Sequence, residues 1–313
     1  MKPIAAITVD LDVLEHYRAI HGLPPKQTPG PDPTYEVGVR RLLELFESFG
    51  IESTLFVVGR DVEEPVQRGL LEQAHARGHE LGNHTFEHRY DLREHPPHVR
   101  AADIAGGERA VESVTGRRPV GFRAPGYNLD DAMLQTLAQR GYLYDSSVFA
   151  CPPYYLAKGA VMASLLLRGK PSHSAMTKPQ NMLAPTRPYR PKAGQFWRSD
   201  ARSTLPLEIP MCVVPGVRFP VIGTSLHLMG RAGFSAAYPL LKRYHASCLQ
   251  LEFHSIDFMD ATDLDEPDLV ARQPDLKVPW ERKKSLYSFI FEKIARDYTF
   301  APLEAFARGW GGA

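Results

Sequence analysis

The stretch STLFVVGRDVEEPVQRGLLEQAHARGHELGN, residues 53–83, contains a strand, a helix and a second strand in close succession. The apolar, β-branched run at 53–59 is short and predicts a buried strand. Residues 63–78 carry apolar side chains at helical spacing, with Pro65 near the first turn and Gly78 at the end. Residues 79–83 follow as a short strand. A strand–helix–strand unit predicts parallel strands joined by a helical crossover.

The same alternation recurs along most of the chain. Further strands are predicted at 4–10, 119–125, 142–147, 205–214 and 248–255, and further helices at 35–50, 98–116, 130–141, 234–246 and 280–296. This pattern predicts an α/β fold with a parallel sheet or a distorted (β/α) barrel. We treat residues 1–313 as a single domain.

Residues with chemically useful side chains follow the predicted strands. They are Asp10, Asp12, His84, His88, Arg123, Asp145 and His254. In a βα barrel the carboxyl ends of the strands form one face, and active sites are built there. Five separate strand ends therefore predict one functional site.

Composition excludes several classes of protein. The formal net charge is +1 over 313 residues, which gives no reason to expect nucleic-acid binding. Three cysteines without CxxC spacing argue against a disulfide framework or a cysteine zinc site. The N-terminal sequence MKPIAAITVDLD lacks the pattern of a signal peptide, and no apolar run is long enough to span a membrane. We expect a cytoplasmic protein.

The sequence GNHTFEH, residues 82–88, places His84 and His88 four positions apart. If this segment is a helix or a tight turn, both imidazoles face the same way and can bind a divalent metal with a carboxylate from TVDLD. The alternative to a metal site is that the two histidines lie on the surface and that TVDLD is an unrelated polar strand end. Glu87 does not complete an HExxH motif, which would need glutamate where Thr85 stands.

Taken in order, the motifs resemble the polysaccharide deacetylase family, the NodB-homology enzymes of carbohydrate esterase family four. TVDLD is similar to the first family motif in a D-x-D form, GHELGNHTFEH to the second, FRAPG to the third and LEFH to the fifth. The resemblance covers about residues 4–150 and 205–257. It implies a seven-stranded, TIM-like distorted barrel and hydrolysis of an N-acyl amide.

The resemblance also implies roles for individual residues. Asp12, His84 and His88 would bind the metal, most often zinc, with cobalt, manganese or nickel as alternatives. Asp10 would be the general base, and Arg123 would hold it ionised. The Gly126 backbone N–H would stabilise the oxyanion, and His254 would protonate the leaving amine. Leu251 and Tyr127 would contact the substrate, Leu251 lining the pocket for the acyl methyl group.

Three departures from the family pattern affect these roles. The D-x-D form leaves the division of roles between Asp10 and Asp12 less secure. Gly126 stands where the family also uses an aromatic residue, so we expect that side of the cleft to be open. The fourth motif, which contains an acid that tunes the histidine, is not clear; Asp145 and Asp257 are the candidates to interact with His254.

Residues 151–204 interrupt the βα alternation and read as a Pro-rich insertion. They contain nine Lys or Arg residues against one acid, Asp200, which is a local net charge of +8. The basic residues are Lys158, Arg168, Lys170, Lys178, Arg187, Arg190, Lys192, Arg198 and Arg202. One interpretation is a charged surface flap. The other is a phosphate-binding cradle in which residues 160–167 rest on an anionic membrane.

We therefore predict a metal-dependent hydrolase that removes an acetyl or formyl group from an amino sugar. Within the family, the basic insertion resembles the branch that acts on lipid-phosphate-linked sugars at the inner membrane face. Two alternatives stay open: a carbon–nitrogen hydrolase for a small non-sugar amide, and an inactive relative that binds carbohydrate or lipid. The sequence leaves open the acyl group, the cellular metal and the oligomeric state.

Overall fold

A computed structural model describes residues 2–26, 30–167, 169 and 174–311. The strands are β1 Ile4–Asp10, β2 Thr54–Val57, β3 Glu80–Asn83, β4 Gly121–Phe122, β5 Tyr144–Asp145, β6 Pro191–Lys192, β7 Gln195–Ser199, β8 Leu207–Glu208, β9 Val213–Val214, β10 Phe219–Pro220, β11 Cys248–His254 and β12 Thr299–Phe300. The α-helices are α1 Leu14–Ile20, α2 Arg40–Ser48, α3 Pro65–Ala76, α4 Pro97–Thr115, α5 Asp131–Gln139, α6 Pro152–Leu167, α7 Gly223–Tyr244, α8 Pro267–Arg272, α9 Trp280–Ala295 and α10 Leu303–Arg308.

Seven parallel strands form a curled half-barrel, which confirms the predicted fold class. Their order is β11–β1–β2–β3–β4–β5–β8, and β12 pairs with the start of β1. The register aligns Asp10 with His254 on one side and with Phe56 on the other. The first and last of the predicted clusters are thus brought to one end of the sheet.

Alternation along the strands divides the side chains between the helices and the barrel interior. In β1, Ile7 and Val9 pack into the principal apolar core with residues of α2, α7 and α9. Thr8 and Asp10 point the other way, into the interior. A two-residue period therefore places carboxylates on one face and the core on the other.

The amino-terminal end of the half-barrel is closed by α10. Leu303 and Phe306 pack against the interior side chains Ala6, Phe56 and Tyr144. The backbone N–H of Leu303 donates to Thr54 Oγ1 at 2.9 Å. The interior polar groups at the opposite, carboxyl end are not covered by this helix.

Several local predictions need correction. The segment after β1, where no helix was predicted, contains helix α1. The single strand predicted at 205–214 is two short strands, β8 and β9, and the helix predicted at 234–246 begins at Gly223 and is kinked at Gly230. The insertion is ordered enough to contain α6 and the β6–β7 hairpin.

All three cysteines are buried free thiols. Across the described ranges, no helix is both long and apolar enough to cross a membrane.

Candidate active site

The carboxyl ends of four strands bring six of the predicted residues together. Asp10 ends β1, Arg123 follows β4 and His254 ends β11. Asp12 lies two residues after β1, and His84 and His88 follow β3. All except His254, which is partly buried, are nearly inaccessible to solvent.

Asp12, His84 and His88 form a group with metal-binding geometry. One potential ligand atom from each lies within 4.8 Å of the others. His88 Nε2 is 3.0 Å and His84 Nε2 is 3.7 Å from Asp12 Oδ1. Two imidazoles and a carboxylate are a common ligand set for a catalytic divalent ion, with coordination positions left for water and substrate.

Hydrogen bonding around this group leaves its ligand atoms available. The backbone carbonyl of Arg123 accepts a hydrogen bond from His84 Nδ1 at 2.7 Å, so the Nε2 lone pair faces Asp12. Within the described residues, the buried Asp12 Oδ1 and His88 Nε2 form no hydrogen bond of suitable geometry, and their close contact at 3.0 Å is with each other. Buried polar atoms normally have hydrogen-bond partners, so this pair of atoms fits a cation bound by both.

The carboxylate and the imidazoles of this group differ in their preferred protonation state. Burial raises the pKa of Asp12, but His88 and the neighbouring histidines lower it by more, so that pKa lies well below its usual value. Burial lowers the pKa of His84 to about 4. An ionised carboxylate beside a neutral imidazole is the protonation state that metal binding requires.

The HTFEH segment is a strained turn and not a helix. Thr85 and His88 have left-handed φ angles of 67° and 55°. The Asn83 Oδ1 atom accepts from the Thr85 N–H at 2.8 Å, and Thr85 Oγ1 accepts from the His88 N–H at 3.1 Å. These two bonds orient both imidazoles toward Asp12.

Two glycines of α4 make room for this turn and were missed in the sequence. A Cβ atom on Gly107 would stand 2.2 Å from Asn83 Oδ1, and one on Gly106 would stand 2.9 Å from Phe86 Cβ. Adjacent glycines within a helical pattern are a signal for close backbone approach. The GG pair at 106–107 could therefore have been linked to the histidine motif.

Asp10 is held by a fully buried arginine. Arg123 Nη1 donates to Asp10 Oδ1 at 2.6 Å, and Arg123 Nε donates to the Ser146 carbonyl at 2.8 Å. The guanidinium also lies over the Phe56 ring, 4.2 Å from its centroid. A rigid, permanently charged partner keeps Asp10 Oδ2, which is 3.8 Å from His84 Nε2, directed into the site.

Glu252 is the carboxylate at the His254 ring. Glu252 Oε1 is 3.0 Å from His254 Nδ1 and accepts from the Tyr127 hydroxyl at 3.3 Å. Burial lowers the pKa of His254, but Glu252 raises it by more, and the result lies well above the usual value. This ion pair suits a histidine that donates a proton from Nε2 at neutral pH.

Asp257 and Asp145, the two carboxylates expected to interact with the His254 ring, form other hydrogen bonds. Asp257 accepts a hydrogen bond from the His254 backbone N–H at 2.8 Å. Asp145 accepts from Ser147 Oγ at 2.6 Å and lies beside Glu208. The sequence reading overlooked Glu252, although it stands two residues before His254 and so shares its face of β11.

Comparison with known proteins agrees with this arrangement. Residues 30–144 match the family model for polysaccharide deacetylase. Over residues 30–144 the chain is therefore similar to this family. The matched region contains His84, His88, Arg123 and Gly126, whereas Asp10, Asp12 and His254 lie outside it.

Two deacetylase relatives share part of the sequence. A Bacillus cereus peptidoglycan-N-acetylglucosamine deacetylase is 34% identical over 113 residues, which are 36% of this chain and 50% of the relative. A Helicobacter pylori peptidoglycan deacetylase is 29% identical over 131 residues, or 40% and 42% of the two chains. The chain thus spans half or less of the relatives it matches.

Solved structures share the fold over nearly the whole chain. A Mycobacterium smegmatis protein assigned as a polysaccharide deacetylase has a TM-score of 0.56 at 18% identity, covering 98% of this chain and 90% of its own. An allantoinase has a TM-score of 0.58 at 15% identity, covering 98% and 89%. At this identity the likeness concerns the fold alone.

The cleft beside Gly126 is not open, contrary to the expectation from the sequence. Tyr90 fills the space, since a Cβ on Gly126 would stand 2.6 Å from the Tyr90 ring. Gly126 also has a φ of 60°, which favours glycine. The Tyr90 ring meets His88 edge-on, with centroids 4.9 Å apart.

The expectation that Leu251 lines the substrate pocket also needs correction. Its side chain is fully buried in the principal core, because it stands an odd number of positions from Glu252 and so points away from it. The cavity at the site is lined by Tyr127 but not by Leu251; its lining is Asp10, Asp12, Tyr17, Ile20, His84, Tyr90, Gly126, Tyr127, Tyr154, Lys158, Ser174 and His254.

His16, which lies on α1, belongs to the site and was not among the residues predicted from the sequence. Its ring stacks on His88 with centroids 4.0 Å apart, and its Nδ1 is 3.9 Å from Asp12 Oδ1. Arg60 Nη2 lies 3.2 Å from His16 Nε2 and 2.7 Å from Glu15 Oε2. An arginine can only donate, so His16 carries its proton on Nδ1, facing Asp12.

The described residues of the insertion contribute to the site through α6 and do not form one basic cradle. Lys178 pairs with Asp130, Arg187 lies over the Tyr244 ring, and Arg190 donates to the Leu205 carbonyl. Lys192, Arg198 and Arg202 are exposed. Arg168 and Lys170 lie outside the described residues.

Proposed function

We propose that the protein is a metal-dependent hydrolase that removes an acetyl or formyl group from the nitrogen of an amino sugar. One observation carries this proposal: the potential ligand atoms of Asp12, His84 and His88 face each other, and two of them are buried and form no hydrogen bond of suitable geometry. The partial match to the polysaccharide deacetylase family supports amide hydrolysis, and the named relatives are deacetylases of peptidoglycan or of its N-acetylglucosamine.

We infer that Asp12, His84 and His88 hold the metal, with zinc the best match to two imidazoles and one carboxylate. When bound, such an ion lowers the pKa of water to about 7 and polarises a carbonyl. The group formed by Asp10, Glu252 and His254 also has close ligand atoms. Arg123 and the Glu252–His254 pair occupy those atoms, so this group suits proton transfer.

In the proposed reaction Asp10 is the base. Its Oδ1 is taken by Arg123, so Oδ2 is the atom that receives the proton of the attacking water. The guanidinium stabilises the ionised carboxylate. The Gly126 backbone, whose close approach to the site is possible because it lacks a side chain, would donate to the developing oxyanion.

His254 is the acid in this proposal. An amide leaves poorly unless its nitrogen is protonated, and the Nε2 proton of a cationic His254 is available for that step. Glu252 holds the other ring nitrogen, so the ring presents Nε2 to the cavity. Tyr127 keeps Glu252 in place through its hydroxyl.

The test is His254→Ala with the metal measured separately. We expect release of acetate or formate to fall by about 10²- to 10⁴-fold, the usual contribution of a general acid, while metal content is retained. His88→Ala should instead lose metal. Full activity of His254→Ala, or a protein that neither contains nor responds to any divalent ion, would refute the mechanism.

The finer proposal is that the sugar is carried on a lipid phosphate and that the protein binds the inner membrane face peripherally. Helix α6 supports it, because it exposes the apolar side chains Leu156, Val161, Leu166 and Leu167, up to 89% for Leu167. Several large apolar side chains exposed on one helix favour an interaction with an apolar partner such as a membrane. The buried free cysteines suit a reducing compartment.

Vesicle flotation tests the membrane contact. We expect Leu166→Gln/Leu167→Gln to weaken binding to anionic vesicles about tenfold or more, because two leucines lose their apolar environment. Leu228→Gln, at an exposed leucine of α7, is the matched control. Equal flotation of all three proteins would exclude α6 as the membrane contact.

A small non-sugar amide is a second candidate substrate. The cavity at the site measures about 130 Å³, below the roughly 300–1,000 Å³ of most ligand pockets. The fold is shared with an allantoinase, a fold-level likeness only. Screening N-acyl amino sugars, free, on nucleotides and on lipid phosphate, against small cyclic and linear amides separates the two candidates.

A further inference from the structure

Helix α6 covers one side of the active-site cavity and places a lysine in its wall. Lys158 and Tyr154 line the cavity together with Asp10, Asp12 and His254. The outward residues of α6 are apolar, and Lys158 is its one charged residue among those described. A single cation on an otherwise apolar helix thus lies on the side that faces the site.

Lys158 is half-buried, and it differs from the fully buried cations of the described chain, which have identified partners. Arg18 pairs with Glu266 at 2.6 Å, Arg123 with Asp10 at 2.6 Å, and Lys283 donates to the Met259 carbonyl at 2.6 Å. No carboxylate among the described residues lies within ion-pair distance, 4.0 Å, of Lys158.

Burial of Lys158 has a measurable consequence. Burial lowers the pKa of its ammonium group to about 8, so the group is largely a cation at neutral pH. Holding a charge out of water without a partner costs free energy. An anion that enters the cavity would recover that cost, because it would meet a cation already placed there.

We propose that Lys158 binds an anionic group of the substrate, a phosphate or a carboxylate, while the amide lies at the metal-binding end of the cavity. This inference rests on the proposed function and narrows the substrate class to anionic N-acyl compounds. A lysine ammonium is a point charge with three donors and accepts either anion.

A pair of sugars that differ by one phosphate tests the inference. The probes are N-acetylglucosamine 1-phosphate and methyl N-acetylglucosaminide, with the metal-loaded full chain. We expect kcat/KM to favour the phosphate at least tenfold, and Lys158→Met to remove most of that preference through KM. Lys158→Arg should restore it, and Lys192→Met, at an exposed lysine of the insertion, should not alter it.

Further substrates distinguish the possible sources of the anion. They also separate a failure of the anion site from a failure of the proposed deacylation. N-acetylmuramic acid tests a carboxylate, and the sugar phosphate displayed on vesicles tests a lipid carrier. Equal kcat/KM for neutral and anionic probes, or a preference retained in Lys158→Met, would overturn the anion site while leaving deacylation intact. If no amide is hydrolysed, the proposed function fails, and calorimetry of N-acetylglucosamine 1-phosphate with Lys158→Met and the parent protein decides the anion site alone.

Discussion

Glu252 illustrates how one residue can define the chemistry of another. Its carboxylate is almost fully buried, 3.0 Å from His254 Nδ1, and accepts from the Tyr127 hydroxyl. If the Glu252 charge were removed, His254 Nε2 should stay in place, but the pKa of the His254 ring should fall. His254 therefore depends on Glu252 more than on the two aspartates that the sequence suggested.

Glu252→Gln preserves size and removes that charge. Because the Glu252 carboxylate raises the pKa of His254, we expect the pKa to fall in the variant. A general acid must be protonated, so the alkaline limb of the kcat profile should move to lower pH, with kcat about 10- to 100-fold lower at neutral pH. Glu87→Gln, at a half-exposed carboxylate beside His88, is the control. An unmoved alkaline limb would show that Glu252 does not set the acidity of His254.

At the scale of elements, the metal-binding turn depends on the helix behind it. Residues 83–88 pack directly against α4, and both Gly106 and Gly107 face them. The left-handed φ angles of Thr85 and His88 cost free energy, which this close packing offsets. The helix thus contributes to the site without supplying a side chain.

Gly107→Ala tests this contact. The added methyl would stand 2.2 Å from Asn83 Oδ1, so the turn must shift; we expect a loss of about 1–3 kcal/mol in unfolding free energy. Metal affinity should fall as well, which titration calorimetry measures. Gly69→Ala in α3, where a Cβ meets nothing within 4 Å, should be neutral or stabilising by about 0.5–1 kcal/mol. Equal effects from the two variants would contradict the proposed packing role.

At the scale of the whole molecule, a buried carboxyl joins the sheet to the C-terminal helix. Glu80 accepts from Thr54 Oγ1 at 2.7 Å, from the Tyr144 hydroxyl at 2.8 Å and from the Glu304 N–H at 2.9 Å. Burial raises the pKa of Glu80 from 4.5 to about 7 in the folded state. The floor of the half-barrel therefore prefers a neutral carboxyl group.

This shift predicts how stability changes with pH. The folded state binds the Glu80 proton more tightly than the unfolded state, so its contribution is fully present below pH 4.5 and is lost as pH rises through about 7. The loss is roughly 3 kcal/mol at most. Urea unfolding at several pH values should show this slope in the parent protein and a flatter one in Glu80→Gln. The same dependence of unfolding free energy on pH in the parent protein and in Glu80→Gln would show that other titrating groups cause it.

Much of the fold and most of the site could be read from the chain. Local signals, such as Pro65 opening α3 and the two-residue period of β1, act over a few residues and place the strands and helices. Strand order then carries polar strand ends to one face. Leu251 was predicted to line the substrate pocket, but it lies an odd number of positions from Glu252 and His254 and therefore on the opposite face of β11. A sequence motif does not say which face of a strand each of its residues occupies.

The sequence by itself determined the alternation of strands and helices and the set Asp10, Asp12, His84, His88, Arg123 and His254, since these depend on local pattern and ordered motifs. Only the tertiary structure decided which residues complete that set. Glu252 meets His254, His16 stacks on His88, and Tyr90 fills the space beside Gly126. These contacts depend on how β11, α1 and the histidine turn approach one another in space, and short-range sequence patterns carry little information about such distances.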